Sequence, residues 1–195
     1  RECLALAVQG YSADAVAEGT AEQVLDYMLE RFRAWYEELD IPAEVFKAVS
    51  ANKPGKPLDV QRRVLAVHAF SQLPEAAALA AANKRVSNIL DKLEDGFRFG
   101  DVRSDLLQDP AEHTLAERLA VLGGESEGHL ADGAYSEALS CLAALQAPVD
   151  AFFDEVMVNT EDPVLRGNRL SLLHSLRERF LRVADISQLA VPRNS

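Results

Sequence analysis

With 195 residues, 48% of them hydrophobic and 7% aromatic, the chain is long enough to bury one good core and a small second unit, which points to a globular protein. Its apolar residues are mainly Ala and Leu and its charged ones include many Glu and Arg, a mixture that favours helices over strands and predicts an all-α fold. A net charge of −11 argues at first against a nucleic-acid partner, and no apolar run approaches the roughly 20 residues that a membrane helix needs.

Residues 1–9 read as the end of a helix stopped near Gly10. From Thr20 to Leu39, the residues Val24, Leu25, Met28, Leu29, Phe32, Trp35 and Tyr36 recur at three- and four-residue steps, which predicts one buried helix face ending near Asp40 and Pro42. A short helix over 42–49 precedes Asn52-Lys53-Pro54-Gly55-Lys56-Pro57, a basic loop that its prolines and glycine keep out of helix. Two helices follow as a hairpin, one from about Leu58 to Gln72 and one that takes Pro74 into its first turn and extends to about Leu93. Residues 95–109, with Gly96 and Gly100, read as a mobile connector. Further helices are expected over 111–122, continuing irregularly past Gly123-Gly124, then over 135–146 and 148–158, each antiparallel to the last. The final helix starts after Asp162-Pro163, an acidic residue and a proline suited to a helix N-terminus, and runs to about Ile186, with frayed residues beyond Pro192.

The total charge hides a polarity. Four cations against ten anions give −6 over residues 1–52, and seven against three give +4 over 53–92. Three against sixteen give −13 over 93–162, and six against two give +4 over 163–195. Two basic islands in an acidic chain suit a protein that offers one face to a polyanion, and they equally suit ordinary solvated helix faces.

Along 74–93, at about 100° per residue, Leu79, Ala82, Val86, Ile89, Leu90 and Leu93 share one arc, and Lys84, Arg85, Asn88 and Lys92 fall opposite. Lysine and arginine hold phosphates and asparagine bonds base edges or ribose, so this surface has the groups for RNA contact; a solvated polar face shows the same pattern. In the last helix Leu165, Leu172, Leu173, Leu176, Phe180 and Val183 make the apolar stripe, with Arg166 and Arg177 on one flank. Arg169 lies inside the stripe. A buried guanidinium has to be paired, which favours an ion pair with Asp150 or Asp154 over direct RNA contact. Arg166, Asn168 and Arg182 are freer to meet a ligand.

Nothing resembles a catalytic constellation. His68, His113, His129 and His174 are dispersed and enter no HExxH or triad-like motif, and Gly123-Gly124 lacks the strand–turn–helix setting of a phosphate loop. Catalysis by this chain alone is not expected, nor a metal or cofactor of its own; His68 and His174 read as packing residues at polar edges. Cys3 and Cys141 have no Cys or His at ligand spacing and read as reduced, structural residues of a soluble cytosolic protein.

Several stretches carry a resemblance. Leu79-Ala80-Ala81-Ala82-Asn83-Lys84-Arg85-Val86-Ser87-Asn88-Ile89-Leu90 resembles the alanine-rich Asn-Lys-Arg helix of the bacterial glycyl-tRNA synthetase β subunit. The segment 148–158, beginning Pro148-Val149-Asp150-Ala151-Phe152-Phe153, is similar to the same subunit, as are Asn168-Arg169-Leu170-Ser171-Leu172-Leu173 and Phe180-Leu181-Arg182-Val183-Ala184-Asp185-Ile186. They stand in the family's order, and the similarity covers roughly residues 19–190. The resemblance implies a helical bundle of the DALR anticodon-binding type over 19–195, with 1–18 as the tail of a preceding domain or a linker helix. It implies a non-catalytic part of a cytoplasmic glycine-tRNA ligase, with tRNA(Gly), the α subunit and the rest of the β subunit as partners, and with ATP used by the α subunit to activate glycine.

Carried over residue by residue, Asn83, Lys84, Arg85 and Asn88 become candidate tRNA contacts, and Arg166, Asn168 and Arg169 a second set. Lys53, Lys56, Arg62 and Arg63 extend the footprint, together with Lys92 and Arg182. The part of the acidic segment over 95–130 matches little, and the resemblance does not specify what it does. The competing reading is a helical docking module within the synthetase assembly, which requires an exposed apolar patch rather than cationic faces; a free-standing regulatory or scaffold protein comes third.

Overall fold

The helix signals become nine α-helices, with no strand among the described residues, in a computed structural model that describes residues 2–12, 15–94 and 96–189. They are α1 (Glu2–Gln9), α2 (Thr20–Glu38), α3 (Ala43–Ser50), α4 (Pro57–Ser71), α5 (Ala76–Leu90), α6 (Pro110–Ala131), α7 (Tyr135–Ala143), α8 (Gln146–Glu155) and α9 (Pro163–Leu181), with 3-10 turns at Ser104–Leu106 and Ile186–Gln188. A proline in the first turn opens α4, α6 and α9, where its missing N–H costs nothing. Asp162 caps α9 by accepting from the Val164 and Leu165 amides at 2.8 and 3.3 Å. Asp109 and Glu112 form a reciprocal capping box on α6. Residues beyond Pro192, expected to fray, lie outside the described residues.

The core is built around α9, which packs on α5, α6 and α7, while the turn at Ile186–Gln188 sits on α3 and α5. Six consecutive residues, Asn168 to Leu173, are buried, so this stretch has no solvated face. A helix covered on all sides needs no narrow stripe, and for that reason Leu170 and Ser171 escaped a reading based on a one-sided stripe. The opposite departure is seen in α2: Leu25, Leu29 and Tyr36 are buried, but Val24, Met28 and Trp35 of the expected buried face are exposed, because among the described residues the close helix partners of α2 are α1 and α3.

Other departures have equally local causes. The chain turns by 110° between α4 and α5, a corner rather than a hairpin, because α4 lies chiefly against α3 and α7 and α5 against α8, α9 and the Ile186 turn. That pair is apolar enough together to resemble a bent membrane span, yet most of its apolar residues are core, with Leu58 and Leu65 exposed; no single helix among the described residues is long and apolar enough to cross a membrane. Gly123 does not break α6: a Cβ there would stand 2.7 Å from Nε of Arg179, so the missing side chain is the channel through which Arg179 reaches Glu127 at 3.3 Å. The supposed mobile connector is stitched along α9. Phe99 stacks on His174 with ring centroids 4.0 Å apart, the Gly100 amide donates to Ser171 Oγ, and the Arg103 amide and carbonyl both bond the Asn168 side chain. Of the two cysteines, Cys141 is half-buried but Cys3 is exposed and not a packing residue.

The C-terminal end of α9 is closed by a side chain from another helix. Arg63 of α4 donates from Nη1 to the carbonyls of Arg182 and Val183, both at 2.7 Å, and Asn52 donates to that of Leu181. Cations are favoured at this negative end of a helix. Arg63 is itself held by Asp59 at 2.8 Å and lies 4.4 Å over the Tyr135 ring, whose hydroxyl donates to Asp59. Loss of several charge-assisted bonds should be felt, so Arg63→Ala is expected to cost about 2 kcal/mol in urea unfolding. A change below about 0.5 kcal/mol would mean that water replaces the guanidinium without penalty.

Candidate nucleic-acid interface

Burial of Leu79, Val86 and Leu90 fixes how α5 is rotated, and the exposed face that remains carries Lys84, Arg85 and Asn88, with Lys92 just past its end. Arg166, in the first turns of α9, comes to the same place. Arg85, Asn88, Ile89, Lys92, Leu93, Asn159 and Arg166 line a groove of about 300 Å³. The two basic islands of the sequence, separated by the acidic segment, therefore converge in space through these residues. Among the described residues no carboxylate lines the groove, and the side chains of Lys92 and Arg166 make no ion pair or hydrogen bond there. Like charges collected in a cleft without counter-charge produce a positive potential that attracts anions. Arg85 is exposed, yet its guanidinium lies over the Phe153 ring of α8 at 4.2 Å from the centroid.

Not every expected contact lies here. Asn83 is 3% exposed and donates to the Leu79 carbonyl at 3.0 Å. Asn168, expected to be free for a ligand, is 5% exposed and clasps the Arg103 backbone. Arg169 is buried and paired, as its place in the stripe requires, but its partners are Glu112 and Asp109 instead of Asp150 or Asp154. Its Nε reaches Glu112 at 2.7 Å, Nη2 reaches Asp109 at 3.2 Å, and Nη1 donates to the Met157 carbonyl at 2.9 Å. The start of α6 covers this side of α9; Asp150 of α8 accepts from Gln146, and Asp154 is exposed.

Glu112 is fully buried and also accepts the Gln108 and Asp109 amides at 2.8 and 2.9 Å. Burial pushes its carboxyl upward, but the hydrogen bond from Arg169, the two amides and the guanidinium charge together hold it below the ordinary value of 4.5. This knot pins the Met157 carbonyl two residues before Asn159 and so supports the wall of the groove. In sequence, Asn159 and Phe153 had no signal as part of a basic site, since neither is charged and each lies far along the chain from Arg85.

The rest of the expected footprint sits elsewhere. Lys53, Lys56 and Arg62 are exposed, but Arg63 is the structural clamp already described and Arg182 pairs with Glu127 at 3.1 Å. Arg63 and Arg182 line a separate cavity of about 350 Å³ together with Asp59. Arg166 and Arg182 are at opposite ends of α9, about 24 Å apart at 1.5 Å per residue. The distal cluster carries its own carboxylates, Asp59 and Glu127, whereas the α5–α9 groove has none among its described lining residues.

A family model described as the DALR anticodon binding domain matches residues 79–188, which contain both groove-forming helices. Among curated proteins the chain is similar to the glycine–tRNA ligase beta subunit of Marinobacter nauticus, at 56% identity over 171 residues, covering 87% of this chain and 24% of that protein. It is similar to that of Chromohalobacter salexigens at 52% identity, covering 97% of this chain and 27% of the relative, and to that of a Haemophilus influenzae strain at 51%, covering 86% and 23%. The chain spans about a quarter of the length of these relatives.

Proposed function

The chain belongs to the DALR anticodon binding domain family, and from that premise we propose that it grips the anticodon arm of tRNA(Gly) as part of a glycyl-tRNA synthetase β subunit. The convergence of Arg85, Lys92 and Arg166 in one groove, with no carboxylate among its described lining residues, carries this reading. Phosphates of a loop backbone pair with the three cations, while Asn88 and Asn159 offer both a donor and an acceptor to base edges or ribose. Lys84, exposed one residue from Arg85, and the distal Lys53, Lys56 and Arg62 serve as outlying phosphate contacts. Binding at this site orients the acceptor end of the tRNA for the α subunit, which uses ATP to activate glycine and charges the tRNA in the cytoplasm. Residues 19–195 form the anticodon-binding unit and 1–18 belong to the connection with a preceding domain.

Replacing Arg166 by Ala is expected to weaken tRNA(Gly) binding about tenfold at low salt and replacing Arg85 by Ala about a hundredfold, each flattening the dependence of log affinity on log salt by about one unit. Wild-type affinity and slope in both variants would remove the groove from the footprint.

A docking role has one observation in its favour. Leu6, Tyr11, Val24, Tyr27, Met28 and Trp35 are exposed on the α1–α2 side, an apolar set of the kind that associates with other protein surfaces. Comigration of the chain with purified α subunit in the absence of RNA would support docking there, and failure to comigrate would favour RNA binding alone.

A further inference from the structure

Charge alone does not account for how Arg85 is held. A guanidinium meant only to attract phosphate gains most from reaching into the groove with all its donors free, and an exposed one has no need of an aromatic support. Arg85 instead lies against Phe153 at 4.2 Å while remaining exposed. The ring therefore covers part of the cation, and its exposure leaves the rest open beside the groove that it lines. Phe153 is itself braced edge-on by the fully buried Phe152, with ring centroids 5.6 Å apart, so the platform beneath Arg85 is fixed by the core.

We propose, on the reading that the groove binds RNA, that the Arg85–Phe153 pair is the seat on which one unstacked nucleobase lies. Arginine planes and aromatic rings both stack bases whatever their identity. The groove, at about 300 Å³, is at the small end of cavities that enclose a ligand, which suits one extruded nucleotide rather than a duplex. Lys92 and Arg166 then take the phosphates on either side of it, and Asn88 and Asn159 meet its edge. Ile89 and Leu93 give the groove an apolar floor, useful beneath a base or sugar and of no use to a phosphate. Arg85 thus contributes planarity as well as charge.

Conservative substitution separates the two contributions. Arg85→Lys keeps the charge and loses the plane; Phe153→Leu keeps apolar bulk and loses the ring under the cation. The probe is tRNA(Gly) transcript carrying 2-aminopurine at one anticodon-loop position at a time, titrated with the 195-residue chain and followed by fluorescence. For the unmodified chain, one position should show a large fluorescence change on binding. Arg85→Lys is expected to abolish most of that change and to weaken binding about ten- to a hundredfold, the range that stacking of one base supplies, while the salt slope stays unchanged. Phe153→Leu should show the same loss of signal with a smaller loss of affinity. Binding by Arg85→Lys with full affinity and the full fluorescence change would overturn the stacking seat while leaving RNA binding intact. If the unmodified chain binds no tRNA(Gly) at low salt, the seat and the reading beneath it fall together.

Discussion

Glu112→Gln is expected to be among the most damaging single substitutions in the protein, costing about 3–5 kcal/mol of stability. The reason is the company the carboxylate keeps. Arg169 is 6% exposed and Glu112 is not exposed at all, so neither can exchange its partner for bulk water. Removing the charge of Glu112 leaves a buried guanidinium facing an amide, and half of that amide donates hydrogen where four donors already converge. Asp109 remains, but its side chain is 44% exposed and its contact with Arg169 is longer, at 3.2 Å. For a domain of this size the loss corresponds to a fall in Tm of about 10 °C.

The double variant Glu112→Leu with Arg169→Met removes both charges at once and should recover part of the loss. Full recovery is not expected, because the Gln108 and Asp109 amides then have no acceptor. A double-mutant cycle by thermal unfolding measures the coupling, and independent effects of the two substitutions would contradict a paired core.

The same carboxylate makes stability depend on acid. Its pKa in the folded protein lies below the ordinary 4.5, so the folded state binds this proton less readily than the unfolded chain. The stabilisation is complete above about 4.5 and is lost as pH falls below that value through the folded pKa. Glu112→Gln should therefore show a flatter loss of stability on acidification than the unmodified protein. Parallel curves would place the acid sensitivity in other carboxylates.

For function the largest effect is expected from Arg85→Glu combined with Arg166→Glu. The two charges approach the groove from helices far apart in sequence, and no acid among the described lining residues offsets them. Reversal replaces two attractions with two repulsions in the same cleft, beside Lys92. Affinity for tRNA(Gly) should fall by more than about a hundredfold at low salt, and the fall should shrink as salt rises because screening weakens both attraction and repulsion. Reversal of Arg62 and Lys53 at the other end of α9 should do far less, since that end is already furnished with Asp59 and Glu127. Equal losses from the two pairs would show that the footprint spans α9 from end to end.

What was legible in the sequence was whatever a few neighbouring residues decide. Asp162-Pro163 opens α9 because the cap and the proline act within one turn. The cationic face of α5 was readable because Val86 and Leu90 fix its rotation from within the helix. Features decided by distant partners were not legible. The length of α6 past Gly123-Gly124 depends on Arg179 crossing at that point, and glycine pairs alone suggest a break. The ordering of the connector depends on His174, Ser171 and Asn168, which lie 65 to 75 residues further on. Arg169 could be recognised as buried and paired from its position in a stripe, but carboxylates close to it in the chain, such as Asp150 and Asp154, are no guide to the ones that stand beside it in space, Glu112 and Asp109. In the site itself both sets of cations were visible as islands; that Arg85 and Arg166 meet while Arg182 does not follows from the length and packing of α9.

The most direct test of the account is a titration of this chain against tRNA(Gly), with a non-cognate tRNA beside it, at two salt concentrations. Tighter binding of tRNA(Gly), weakening steeply as salt rises and lost in the Arg85→Glu/Arg166→Glu variant, is the predicted result. Equal affinity for both tRNAs, or binding that the double variant leaves untouched, would contradict the α5–α9 groove as the place where the anticodon arm is held.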